Sequence, residues 1–231
     1  MTKSPVKLPP PVYNDEKHHI RLYQGDCLEL LSLIPESSVD LIFADPPYFL
    51  SNGGITCHAG RMVSVNKGAW DKSRGPDANH EFNRAWLAAC QRILKPNGSL
   101  WVSGTAHVIH SVGFAMQQLA FKLLNDISWV KPNPPPNLSC RYFTHATETI
   151  IWAARDRKSR HTFNYKLMKE TNRGKQTKKF EEIPCIIFKI VILYQLARRQ
   201  RAFQPELVYR ECDTRLDCNP VFDSYLIASA P

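Results

Sequence analysis

The spacing of apolar and polar positions becomes regular near residue 18, after a Pro-rich, charged stretch at residues 1–17 that reads as an extended tail. His19–Gln24 (HIRLYQ) alternates as a short strand does, and Gly25-Asp26 turns the chain. Cys27–Ile34 (CLELLSLI) places its leucines on one helical face behind an Asp N-cap, and Pro35–Ser38 ends that helix. Val39–Ala44 (VDLIFA) is a compact apolar run, the pattern of a strand covered on both faces in a parallel sheet. Residues 49–80 are rich in Gly, Ser, Asn and Lys and lack any period, which predicts a long loop of the kind used as a lid or binding segment. From Glu81 to Leu94, Phe82, Ala85, Trp86, Ala89, Cys90, Ile93 and Leu94 mark an amphipathic helix. Lys95-Pro96-Asn97-Gly98 stops it and leads into a buried strand at Ser99–Ser103. A helix over about Val108–Ala120, a strand near Leu124–Val130, a proline-broken loop at Lys131–Asn137 and a strand at Glu148–Ala153 follow. Strand alternating with helix is the rhythm of a doubly wound α/β sheet, whose ligands bind beyond the carboxyl ends of the strands.

Composition narrows the class. With 231 residues and 43% hydrophobic content the chain can bury one good core. No apolar leader opens the sequence, and the longest apolar stretch, Ile183–Leu196, is broken by Lys189 and is too short for a bilayer. The expectation is a soluble cytoplasmic protein with no membrane partner. Seven scattered cysteines without a CxxC pair predict reduced thiols, and neither His18-His19 nor Cys57-His58 has a second pair at zinc spacing, so no metal site is expected. The net charge of +9 is local: residues 155–210 carry 15 Lys or Arg against 5 Asp or Glu, a balance of +10, which leaves the remainder at −1. A basic appendage on a neutral body fits a polyanion such as nucleic acid, and on charge alone it equally fits a solvated tail.

Asp45-Pro46-Pro47-Tyr48 lies immediately after the VDLIFA strand, at its carboxyl end. The chemistry that needs these residues is methylation of an exocyclic amine, a poor nucleophile because its lone pair is delocalised into the ring. An ionised Asp accepts hydrogen bonds only, and the carbonyl of Pro46 is a second acceptor on a stiff backbone. Two acceptors holding the two N–H bonds would draw the nitrogen toward tetrahedral geometry and free the lone pair, a step that rests on positioning. Tyr48 offers a ring face for a base taken out of its stack. Without its context the tetrapeptide reads more readily as a rigid turn after a strand.

The run LIFADPPYFLSNGGI, with YQGDCLELL before it and LKPNGSLWVSG, SWVKPNPPPN and RYFTHATETIIWA after it, resembles the β-group of amino-methyltransferases. The similarity is strongest to the GATC-modifying adenine enzymes of restriction-modification systems, and it covers about residues 20–176. It implies a Rossmann-like, doubly wound methyltransferase fold with circularly permuted motif order, S-adenosylmethionine as cofactor, DNA as substrate and a cognate restriction endonuclease as partner. It also implies roles. Asp45, Pro46, Pro47 and Tyr48 take the catalytic motif, and Asp26 and Cys27, with Asp45, the cofactor side. Lys131, Asn133, Arg141, Tyr142, Arg173 and Lys175 fall where the family meets DNA. DPPY, where relatives also use SPPY, points to adenine N6 over cytosine N4.

The resemblance divides the chain into the tail 1–17, a catalytic region 18–176 and a divergent basic segment 177–231. Members of this group carry an FxGxG cofactor loop near the C-terminus, preceded by a segment resembling HPTQKP. Neither is present, and Gly174 is the last glycine. Such a turn lets backbone approach the ligand with no Cβ in the way. The reading is therefore of an incomplete C-terminal part, of frameshifted or decayed origin, with a non-catalytic DNA-binding remnant as the alternative to the enzyme. A strand at Ile186–Leu193 is expected to lack partners and to leave an open sheet edge. Pro10-Pro11-Val12-Tyr13 fits a WW-domain ligand but is readily produced by a proline-rich tail. Trp101, Trp129 and Trp152 fall in strands and read as core, whereas Phe49, Trp70 and Tyr142 fall in loops, where a stacking platform fits better.

Overall fold

The computed structural model describes residues 8–51, 53, 55–58, 61–64, 68–134, 136–137, 140–166, 168, 190–194 and 224–228. The chain begins with β1 (Tyr13–Asp15), inside the segment expected as a tail, which pairs antiparallel with β2 (Ile20–Gln24). Asp26 then caps α1 (Cys27–Leu33): its backbone is extended, and its carboxylate accepts the N–H groups of Leu28 at 2.8 Å and Glu29 at 3.1 Å. Leu30 and Leu31 carry the buried face of this helix. The strand β3 (Val39–Ala44) follows.

Within the predicted long loop lie a two-stranded hairpin, β4 (Ile55–His58) and β5 (Arg61–Ser64), and a 3-10 turn at Ala69–Asp71. The helix α2 (Pro76–Ile93) starts five residues before the sequence pattern suggests, because its first turn, Pro76–His80, is polar and gives no apolar period. Pro76 stands in the first turn, where its missing N–H costs nothing. Trp86, Leu87, Cys90 and Ile93 are the buried side of α2. Next come β6 (Leu94–Gly104), α3 (Ile109–Gln118), β7 (Lys122–Val130) and β8 (Thr147–Ala154). Two strands from the C-terminal part, β9 (Ile190–Tyr194) and β10 (Ser224–Ala228), complete the set.

The main sheet runs β1-β2-β10-β9-β3-β6-β8-β7. From β2 to β6 the strands are parallel; β8 runs against them between β6 and β7. The steps β2-α1-β3 and β3-α2-β6 advance across the sheet in one direction, and right-handed crossovers then stack the helices on one face, with α2 between α1 and α3. That layer covers Ile42 and Ala44 of β3 and Leu100 and Val102 of β6, all fully buried.

Three expectations change. The C-terminal strand is not an edge: β9 pairs with β3 on one side and β10 on the other, Ile42 opposite Val191 and Ala44 opposite Leu193. Its partners come from the far N-terminal region and from residues 224–228, so nothing local in the sequence announces them. Lys95–Gly98 is not a turn outside the sheet but a step in its register, where Val39 faces Leu94 and Leu41 faces Ser99. Lys95 closes the step on Asp40 at 2.8 Å, and a Cβ on Gly98 would stand 3.1 Å from the Asp40 carbonyl oxygen. Trp101 and Trp152 do stack across β6 and β8, 4.9 Å apart, but Trp129 sits on the edge strand β7 and is 52% exposed.

Arg92, near the end of α2, donates to the carbonyls of Leu31 at 2.7 Å and Ile34 at 2.9 Å, satisfying acceptors at the end of α1. Arg92→Ala should lower the free energy of unfolding by about 1–3 kcal/mol, the worth of charged hydrogen bonds to half-buried carbonyls. Urea denaturation monitored by circular dichroism reads this directly.

Candidate active site

Asp45 emerges from β3 beside Ser103 of β6, since Ala44 is in register with Val102. The Ser103 hydroxyl donates to Oδ1 of Asp45 at 2.7 Å and lies 3.4 Å from the Ala44 carbonyl. The Tyr48 hydroxyl donates to the same Oδ1, also at 2.7 Å. One carboxylate oxygen is thus tied twice. Among the described residues neither Oδ2 of Asp45 nor the carbonyl of Pro46 accepts a hydrogen bond. Burial, and then the charge of Asp45, hold the Tyr48 phenol well above its usual range, so it remains a protonated donor at any pH at which the protein is handled. Tyr48 is only 8% exposed and belongs to the core. In this conformation its ring is no open stacking face, and its hydroxyl is bound to the Asp45 carboxylate.

Asp71, which no sequence pattern singled out, fastens the chain after the motif. Its side chain is fully buried, and it accepts the backbone N–H groups of Tyr48 at 3.1 Å and Phe49 at 2.9 Å and the hydroxyl of Ser51 at 2.7 Å. An isolated acid in an aperiodic, polar loop carries no signal of this kind. Phe49 is half-buried and meets Phe82 of α2 edge to face at 6.1 Å, so it packs inward and forms no platform. Trp70 is likewise half-buried.

Asp26 and Cys27 leave β2 at its carboxyl end, on the same sheet edge as Asp45. Three strand spacings, or about 14 Å, separate β2 from β3. An elongated ligand with a polar group at each end fits that span, and Asp26 and Cys27 at one end and Asp45 at the other are the residues that would hold it. Oδ1 of Asp26 is committed to the cap of α1. The Cys27 thiol is pushed up to about 11 by burial and, secondarily, by Asp26. Between β2 and β3 lie β10 and β9, and the residues after Tyr194 (Gln195-Leu196-Ala197-Arg198) include no glycine.

The connection from β7 to β8 rises on this same edge, because β7 runs parallel to β6 and Gly104 is in register with Thr149. Lys131 and Ala146 close its base through a 2.8 Å backbone hydrogen bond. Lys131 also pairs with Glu148 and lies 6.0 Å from the centre of the Trp129 ring. Asn133, Arg141 and Tyr142 are exposed, and Tyr142 leans on His145 with ring centres 5.6 Å apart; Phe143 beside them is 97% exposed. The structure therefore brings Lys131, Asn133, Arg141 and Tyr142 to the edge that holds Asp45. Arg173 and Lys175 lie outside the described residues, as does most of 177–231.

Comparison with known proteins bears on this edge. A family model described as DNA methylase matches residues 39–214. The chain is 55% identical over 174 residues to Type II methyltransferase M2.DpnII of Streptococcus pneumoniae, covering 75% of this chain and 64% of that protein. It is 57% identical over 164 residues to Type II methyltransferase M2.LlaDCHI of Lactococcus lactis subsp. cremoris, covering 71% and 61%. The chain thus spans less than two thirds of the length of these relatives. Among solved structures, the cytosine-N4-specific PvuII DNA methyltransferase aligns over 96% of this chain and 85% of its own, with a TM-score of 0.56 at 15% identity. A putative DNA modification methylase from Thermus thermophilus, complexed with S-adenosyl-L-methionine, aligns over 92% and 90% with a TM-score of 0.51 at 17% identity. At such identities the likeness establishes the shared α/β methyltransferase fold.

The raised thiol of Cys27 has a chemical consequence, since only the thiolate alkylates. At pH 8 iodoacetamide should label exposed Cys140 well before Cys27, and labelling of Cys27 should accelerate only as pH climbs toward about 11. Peptide mapping after timed alkylation reads both rates.

Proposed function

We propose, from the premise that this chain belongs to the DNA methylase family, that it transfers a methyl group from S-adenosylmethionine to the N6 amine of adenine in DNA. The observation that carries this reading is the half-tied Asp45. Tyr48 and Ser103 fix the carboxylate through Oδ1, which leaves Oδ2 to accept one N–H of an amine while the Pro46 carbonyl accepts the other. With both N–H bonds engaged, the amine lone pair turns out of conjugation and toward its electrophile. S-adenosylmethionine, when bound, supplies that electrophile as a sulfonium methyl group. Asp26 and Cys27 are its proposed partners at the β2 end of the edge, and Asp45 at the β3 end.

Pro46 and Pro47 keep the motif stiff, so that the two acceptors stay at a fixed separation. Lys131, Asn133, Arg141 and Tyr142 stand where a DNA strand would pass as its base enters, and Arg173 and Lys175 extend the same charge in sequence. Adenine over cytosine follows from DPPY, and GATC follows from the sequence resemblance. The relatives are Type II methyltransferases, which supports a place in a restriction-modification system with a cognate endonuclease. No described helix is long and apolar enough to cross a membrane. A cytoplasmic location is proposed from the substrate, since the DNA to be modified lies there. One observation favours the second reading, a DNA-binding remnant without transfer: no glycine follows Gly174.

Unmodified plasmid incubated with the protein and S-adenosylmethionine should become resistant to a nuclease that cuts only unmethylated GATC. Asp45→Ala should lower transfer by at least about a hundredfold while DNA affinity stays within about threefold, and equal loss of both would reduce Asp45 to a structural residue. No heat on calorimetric titration with S-adenosylmethionine would favour the remnant. Separately, DNA affinity should fall with rising salt, with a log–log slope near −0.9 per phosphate neutralised by the basic region, and a flat salt response would remove that region from the interface.

A further inference from the structure

We infer that Asp71 is a positioning residue for the proposed reaction: by clamping the backbone of Tyr48–Ser51 it seats the Tyr48 hydroxyl on Asp45. This rests on the reading of Asp45 as the amine acceptor. The clamp reaches across 23 residues of sequence to make its contacts. Oδ1 of Asp71 receives two consecutive backbone N–H groups, of Tyr48 and Phe49, Oδ2 receives the Ser51 hydroxyl, and the Asp71 carbonyl receives the Ser51 N–H at 3.2 Å. All four bonds land on the four residues that begin with Tyr48. A fully buried carboxylate needs such a set of donors, and each of those donors is thereby fixed in place.

Phe49 shows what the clamp holds. Its φ of +56° is a left-handed conformation that a residue with a Cβ rarely adopts unless its surroundings impose it. The turn at Phe49 sends the chain away from β3 and leaves Tyr48 facing back toward Asp45, 2.7 Å from Oδ1. At the other end, the 3-10 turn Ala69–Asp71 delivers the carboxylate. That turn depends on Gly68, whose φ is +130° and where a Cβ would stand 2.8 Å from the Trp70 indole nitrogen. The loop that carries the β4–β5 hairpin is therefore latched at its base, and the latch bears directly on the motif.

The 231-residue chain tests this with Asp71→Ala and Asp71→Asn. Asn keeps a carbonyl oxygen for the two backbone donors and offers its amide to the Ser51 hydroxyl. Steady-state transfer to GATC duplex should show kcat falling about tenfold to a hundredfold in Asp71→Ala, with KM for DNA and for S-adenosylmethionine within about threefold, and kcat recovering most of the way in Asp71→Asn. Loss confined to KM, or loss in Asn equal to that in Ala, overturns the assignment. Amide hydrogen exchange separates this outcome from failure of the functional reading. If the wild-type chain transfers nothing, that reading has failed, and the clamp is judged by the Tyr48 and Phe49 amides alone. These should exchange faster in Asp71→Ala while α2 amides stay protected, whereas unchanged exchange overturns the clamp.

Discussion

A carboxylate at the tip of a strand can grip a ligand only if it is held on one side and open on the other. Asp45 meets that condition because Tyr48 and Ser103 converge on a single oxygen. Ser103 is brought there by the parallel pairing of β3 with β6, and Tyr48 by the turn after the two prolines. The buried core gathers Ile42 and Ala44 of β3 together with Trp86, Leu87 and Cys90 of α2. Two hydrogen bonds, from Tyr48 of this core and from Ser103, hold Asp45 at its rim.

The parts of this arrangement that were legible in the sequence are those written locally. Val39–Ala44 is apolar at every position but Asp40, and the helix behind Trp86 repeats at helical spacing, so β3 and α2 could be read directly. DPPY stood out by position as much as by composition. What was not legible depended on partners distant in sequence. The place of β9 between β3 and β10 is decided by residues 39–44 and 224–228, and no periodicity within 186–193 encodes it. Asp71 looked like any loop acid until folding brought it under residues 48–51. Tyr48 looked available for stacking because residue type says nothing of whether a ring is buried, and here the ring lies in the core with its hydroxyl on Asp45. Trp129 was read as core because strands of this composition are covered, but β7 is the last strand of its sheet.

The two ends of the sheet edge differ in how well they are built. Around Asp45 each donor has a defined acceptor, and the loop after the motif is latched by a buried charge. Toward β2, Asp26 has already committed one oxygen to its own helix, and no glycine follows Gly174 in the sequence. The two ends of the edge are carried by different strands and encoded in different parts of the sequence.

That order of strands also governs how the protein comes to exist. The strands β2 and β3 are made first, but they are not neighbours; the gap between them is filled by β9 and β10. During synthesis the two halves of the sheet have no hydrogen-bonded contact until residues 190–228 have left the ribosome. Closure then joins segments roughly two hundred residues apart in sequence, the kind of long-range pairing that makes folding slow. The nascent chain accordingly carries β2 and β3 with unpaired facing edges for most of its translation.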